Sequence, residues 1–85
     1  MTEAEKDTLR SLAAAKKIID GRNLGTDYAT IMVTLEHMVS VLLLILMNDP
    51  RKAAAMLNET LVPGIEYRLA LAASRRAQAE ARGAE

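Results

Sequence analysis

Residues 28–48 read YATIMVTLEHMVSVLLLILMN, and the fold turns on how that stretch changes character along its length. At 100° per residue, Thr30, Thr34, Glu36, His37 and Ser40 of its first half fall in one arc of about 160°, while Ile31, Met32, Leu35, Met38 and Val39 fill the rest, as in an amphipathic helix. In the second half Val41, Leu43, Leu44 and Met47 take over the polar arc and complete the run Val41-Leu42-Leu43-Leu44-Ile45-Leu46-Met47. A helix that is apolar on every side needs cover on every side. About 21 residues at 1.5 Å each make it roughly 32 Å long, with Thr26 or Asp27 expected to cap its start.

Upstream, Thr2 and Glu5 have the spacing of a capping box, which starts a first helix over residues 3–20. Its apolar stripe is thin: Leu9, Leu12, Ala13, Ala15, Ile18 and Ile19, with Lys16 and Lys17 near the negative end of the helix dipole. Gly21 stands where a left-handed C-terminal cap is needed, and Gly21-Arg22-Asn23-Leu24-Gly25 reads as a loop.

Downstream, Asn48-Asp49-Pro50 is the sharpest punctuation in the chain, with Asp49 as N-cap and Pro50 at the first helical position, where its missing amide costs nothing. The stripe Ala54, Leu57, Leu61, Ile65, Leu69 and Ala72 runs straight through Val62-Pro63-Gly64 and favours one kinked helix over residues 50–76. Pro63 removes a hydrogen bond to the Glu59 carbonyl and disfavours helical geometry at Val62, which favours a break. Both outcomes stay open. Residues 77–85 carry no large apolar side chain and are expected to fray as a charged tail. The reading is therefore all-α: a single domain over residues 1–76, built as a short N-terminal helix plus an antiparallel helical hairpin.

Eighty-five residues bury little on their own, and this chain has no Cys for disulfides and only one His toward a metal cage. Its apolar half is Ala, Leu, Met, Ile and Val, with Tyr28 and Tyr67 the only aromatic residues. Self-association is the remaining source of stability, so a homodimer or higher bundle is expected. Its interface is expected at Leu35, Val39, Val41, Leu42, Leu43, Leu44, Leu46 and Met47. Met32, Met38, Met47 and Met56 read as core filler before adaptable binding surface. Eleven Lys and Arg balance eleven Asp and Glu, which leaves no field to attract phosphate or anionic lipid. The acidic start, Thr2-Glu3-Ala4-Glu5-Lys6-Asp7, lacks the basic n-region of a signal peptide, so a cytoplasmic location is expected.

Candidate sites are few. Glu36 and His37 are adjacent polar residues in an apolar helix, but neighbours point about 100° apart, whereas helical metal motifs space their ligands three or four residues apart. A two-fold dimer bringing two such pairs together, with Glu59 or Glu66 joining, is the metal-binding alternative; otherwise the pair is a solvated stripe or sets register. Arg68, Arg75, Arg76 and Arg82 give a modest basic C-terminal region, the basis of a nucleic-acid alternative, without the polar recognition helix such readers use. Residues 29–47 are just long enough to span a bilayer, yet Glu36 and His37 fall near the middle, where a carboxylate costs about 3 kcal/mol to insert. No enzyme signature and no cofactor motif is present in the sequence. The expectation is a non-enzymatic protein–protein interaction module, a small bacterial or phage regulator, adaptor or inhibitor. Its partners are expected to be itself and another protein, the latter met by Leu9, Leu12 and Ile19, with nucleic acid and membrane disfavoured.

Overall fold

A computed structural model of the chain describes residues Met1 to Ala84. It is all-α, with no strand among the described residues. In order come α1 (Glu3–Ile19), α2 (Tyr28–Met47), α3 (Pro50–Met56), a π-helical turn (Leu57–Leu61) and α4 (Val62–Ala84). The chain divides within α2 into two compact units, one over residues 1–42 and one beginning at Leu43, each described by itself.

In the first unit, Thr2 caps α1 by accepting the Glu5 N–H at 3.1 Å, while its hydroxyl donates to the Glu5 carboxylate at 3.2 Å. The carboxylate thus takes the hydroxyl proton, where a full capping box would have it accept the Thr2 amide. At the other end two residues share the left-handed region, Asp20 at φ 50° and Gly21 at φ 71°. The Asp20 N–H reaches the Lys16 carbonyl at 2.9 Å, so the turn begins one residue before the glycine. Asp is among the few residues that adopt this geometry at modest cost.

The loop organises itself around Asn23. Its side-chain oxygen accepts the N–H groups of Gly25 and Thr26 at 2.9 and 3.0 Å, an Asx turn. The Asp27 carboxylate accepts the Asn23 N–H at 2.9 Å. Asp27 stands at the N-cap position expected of Thr26 or Asp27, its carbonyl accepting the Ile31 N–H at 3.0 Å, but its carboxylate faces back into the loop, where the Asn23 amide needs an acceptor. Half-buried side chains gather where α1 ends, with Ile18, Ile19 and Arg22 on that side and Ile31, Thr34, Leu35, Met38 and Val39 on α2. Everything in α1 before Ile18 is exposed.

In the second unit, the corner after α2 follows the sequence reading closely. Asn48 takes the left-handed conformation at φ 53° and its N–H closes on the Leu44 carbonyl at 2.8 Å. Asp49 is extended, at φ −157° and ψ 120°, as a residue before proline prefers. Its carboxylate accepts the Arg51 N–H at 2.8 Å, and Pro50 opens α3. Leu43 and Ala53, on either side of this corner, are the only buried residues among those described, at 8% and 7% exposure.

Pro63 neither breaks the helix nor leaves it regular. In the π-helical turn before it, the Val62 N–H skips a residue to bond the Leu57 carbonyl. At the start of that turn the Leu57 N–H is shared between the Ala53 and Ala54 carbonyls, and the Asn58 side-chain amide donates to Ala54 O at 3.0 Å. The widened turn makes room for the proline ring, which in a regular helix would collide with the Glu59 carbonyl. Of the stripe expected on this segment, Leu57 and Leu61 are half-buried, while Ala54, Ile65, Leu69 and Ala72 are exposed; Ala53 and Met56 supply the covered positions instead. Residues 77–84, expected to fray, continue α4 as helix, consistent with the helix propensity of Ala, Arg, Gln and Glu, and Glu85 lies outside the described residues.

The corner yields a direct test. Asp49→Ala removes the cap and is expected to lower stability by about 1 kcal/mol, and Asp49→Asn to retain most of it. Urea melts followed by circular dichroism measure both, and an Asp49→Ala protein that melts like the parent would show that Pro50 alone sets the corner.

Candidate functional site

The feature that stands apart from ordinary helical packing is the exposure of α2. Of its 20 residues only Leu43 is buried. Among the residues expected at an interface between copies, Leu35, Val39 and Met47 are half-buried, and Leu43 is already covered by its own chain. Val41, Leu42, Leu44 and Leu46 are open, at 56, 47, 44 and 63% exposure, and Ile45 reaches 70%. Apolar surface of this extent on successive turns is uncommon on a protein that stands alone.

Two stripes with alternating spacings of three and four organise the helix. Ile31, Leu35, Met38, Leu42 and Ile45 form one, and its first three members are half-buried near the end of α1 while the last two are exposed. Thr30, Val33, His37, Ser40 and Leu44 form the other, and all five are exposed.

One polar cluster links the end of α1 to α2 through Thr34, and it was not singled out in the sequence. Arg22 donates through Nε to the Ile19 carbonyl at 3.0 Å and through Nη2 to the Ile18 carbonyl, and Nη2 also reaches the Thr34 hydroxyl at 3.0 Å. Thr34 in turn donates to the Thr30 carbonyl at 3.2 Å. A guanidinium placed three and four residues past carbonyls at the negative end of a helix dipole is well suited to satisfy them. That spacing from Ile18 and Ile19 was the available signal; the reach to Thr34 was not, because it depends on where α2 lies.

Glu36 and His37 are both exposed, and no group of three potential metal ligands comes together among the described residues. Ser40 donates its hydroxyl proton to the Glu36 carbonyl at 2.8 Å. Glu59 and Glu66 are exposed, as are Arg68, Arg75, Arg76 and Arg82 along α4. On α1, Leu9 and Leu12 are open at 54 and 56% exposure, but Ile19, expected beside them as partner-binding surface, is half-buried at the packed end of the helix. An open hollow along the first turns of α1 is lined by Met1, Glu5, Thr8 and Leu9.

By length and composition α2 could cross a membrane, a test that core helices and signal sequences also pass. No protein-family model, curated protein or solved structure matches the chain.

Two measurements follow from this geometry. Arg22→Ala leaves the Ile18 and Ile19 carbonyls without their donor and unfastens Thr34, so hydrogen exchange in the last turn of α1 is expected to accelerate severalfold with little change at Asn48–Asp49. Equal acceleration throughout the chain would mean that Arg22 supports more than this junction. Metal analysis of protein made without a histidine tag is expected to find no stoichiometric iron, zinc or manganese. One metal per pair of chains, lost in Glu36→Ala, would show that a second copy completes a site.

Proposed function

We propose that this chain is a small, non-enzymatic protein–protein interaction module that works as a homo-oligomer. In this reading the short Asn48-Asp49 connection turns the next helix back beside α2 as an antiparallel hairpin, and the α2 helices of at least two copies form the centre of a shared bundle. The observation that carries the reading is the exposure of Val41, Leu42, Leu44, Ile45 and Leu46 on consecutive turns of one helix. Each large apolar side chain moved out of water stabilises the assembly by about 1.5–3 kcal/mol when fully buried, and the balanced charge of eleven cations and eleven anions puts no net repulsion between copies.

A bilayer would cover the same side chains, and the length and composition of α2 favour that second reading. Against it stand Glu36 and His37, halfway along the helix, where a carboxylate costs about 3 kcal/mol to insert. A soluble assembly asks no such cost, since both residues can stay at the edge of an interface. Within the assembly, α1 is the surface offered to a different protein. Leu9 and Leu12 are open, and a helix held only at its last turn can swing aside for a partner helix at low cost. A cytoplasmic regulator, adaptor or inhibitor is the role this supports.

Light scattering coupled to size exclusion tests the proposal. At micromolar concentration and without detergent, the mass is expected to be a multiple of 9.3 kDa, two chains or more. Leu44→Glu places a carboxylate on the open stripe and is expected to raise the dissociation constant at least a hundredfold. A monomeric mass with a cooperative melt would overturn the proposal, and a protein that stays in solution only with detergent would favour the bilayer.

A further inference from the structure

We propose that α1 is a second self-recognition surface, on which two copies pair as antiparallel, two-fold related helices with Glu5 of each against Lys16 of the other and Leu9 against Leu12. The contact lies wholly within α1 and draws nothing from the apolar surface of α2, which it leaves for the assembly argued above. A different protein that uses Leu9 and Leu12 then reaches them by displacing the second copy.

Glu5, Leu9, Leu12 and Lys16 follow one another at steps of four, three and four residues and fall within an arc of about 60° on α1. Such a stripe is the seam along which helices pair. All four residues are exposed, and Ile19, next along the stripe, is half-buried, so the open seam stops at Lys16. It carries one charge of each sign at opposite ends, with the two leucines between. A two-fold axis requires that if one residue faces a second, the second faces the first. Laid antiparallel against itself, the seam therefore sets carboxylate to ammonium at both ends and leucine to leucine in the middle.

Charge decides against the other arrangements. Parallel helices in register put Glu5 beside Glu5 and Lys16 beside Lys16. One antiparallel step away, Leu9 faces Glu5 and Leu12 faces Thr2. A step the other way, Leu12 faces Lys16 and Leu9 faces an Ile19 that is half-buried in its own chain. Lys6, Thr8, Ala13 and Ala15 flank the seam. Three of them are small and let the helices approach, and Lys6, which its own chain pairs with Glu3 at 3.2 Å, lies across from Ala13 of the second copy.

The start of α1 also offers a seat for the incoming lysine. The open hollow there is lined by Met1, Glu5, Thr8 and Leu9. Met1 and Leu9 suit the aliphatic stem of a lysine, and the Glu5 carboxylate suits its ammonium. Glu5 has no ion partner in its own chain, since the one ion pair among the described residues joins Lys6 to Glu3. Its Oε1 accepts the Thr2 hydroxyl at 3.2 Å, which leaves Oε2 for a second donor. The Thr8 hydroxyl gives its proton to the Ala4 carbonyl at 3.0 Å, so its oxygen can accept another ammonium N–H. Exposed ion pairs add little strength. Here they set the register, and the leucines hold the contact.

The chain contains no cysteine, so introduced thiols report without background. Glu5→Cys and Lys16→Cys proteins are made separately, mixed at high concentration and oxidised; both keep the leucines, and the Thr2 cap keeps the backbone N–H it accepts from residue 5. The expected result is a disulfide-linked dimer in the mixture, roughly tenfold above either protein alone, that falls severalfold when both partners also carry Leu12→Ala. Two Glu5 positions lie about 16 Å apart along the axis in this register, too far for a disulfide. The inner pair, Leu9→Cys with Leu12→Cys, is expected to link several times faster mixed than apart and keeps the test decisive if Glu5→Cys weakens the start of α1. Linkage of each protein to itself would mean parallel helices, and a mixture that links no better than its components, or that ignores Leu12→Ala, would mean chance collision. Each of these overturns the α1 pair and leaves the α2 assembly to light scattering, whereas a parent chain monomeric at micromolar concentration whose variants still link overturns the α2 assembly and supports this contact.

Discussion

The structure depends on an imbalance between how much apolar surface α2 carries and how little of it the chain covers. The first half of the helix has neighbours at the end of α1, and its last turns have Leu43 and Ala53 flanking the corner. Val41, Leu42, Leu44, Ile45 and Leu46 remain exposed. Ordering a chain costs backbone entropy at every residue, and two buried side chains offset only a small part of that cost. The polar chemistry is arranged around the same imbalance. It concentrates at helix ends, in Thr2, Arg22, Asn23 and Asp49, where free backbone groups need partners.

Those ends show how local chemistry and distant packing divide the work. Asp49 and Pro50 act within one turn of chain, and nothing far away is needed for the carboxylate to find the Arg51 amide. Arg22 acts across twelve residues: the same guanidinium that closes α1 also touches Thr34 on α2. One side chain therefore satisfies a helix end and reaches a second helix, at the one part of α1 that is partly covered.

What was legible in the residues follows the same division. The helices at 3–19 and 28–47 and the corner at Asn48-Asp49 were readable because periodicity, a capping side chain and a proline are signals carried by a few consecutive residues. Asp27 takes the N-cap position through its carbonyl, but its carboxylate went to an amide in the loop, and nothing in the spacing ranks the two acceptor roles. The covered stripe after the corner began at Ala53 and not Ala54, since covering depends on where another segment lies. Glu36 and His37 were visible as candidates because they are polar in an apolar helix, and they stand exposed on α2.

The π-helical turn acts as a phase shifter. It spends one residue more than an α-helix does on a turn, so each side chain of α4 stands about 100° around the axis from where an unbroken helix would point it. A stripe counted straight through Val62-Pro63-Gly64 on paper does not stay on one line in space, and Ile65, Leu69 and Ala72 are dialled away from the direction of Ala53 and Met56. Indels therefore have unequal effects along this chain. Losing a single residue between Leu57 and Leu61 would be absorbed as the turn tightened, leaving the side chains of α4 pointing as they do but taking away the room Pro63 has there, whereas losing one from α2 would rotate half of the most apolar helix against the other half.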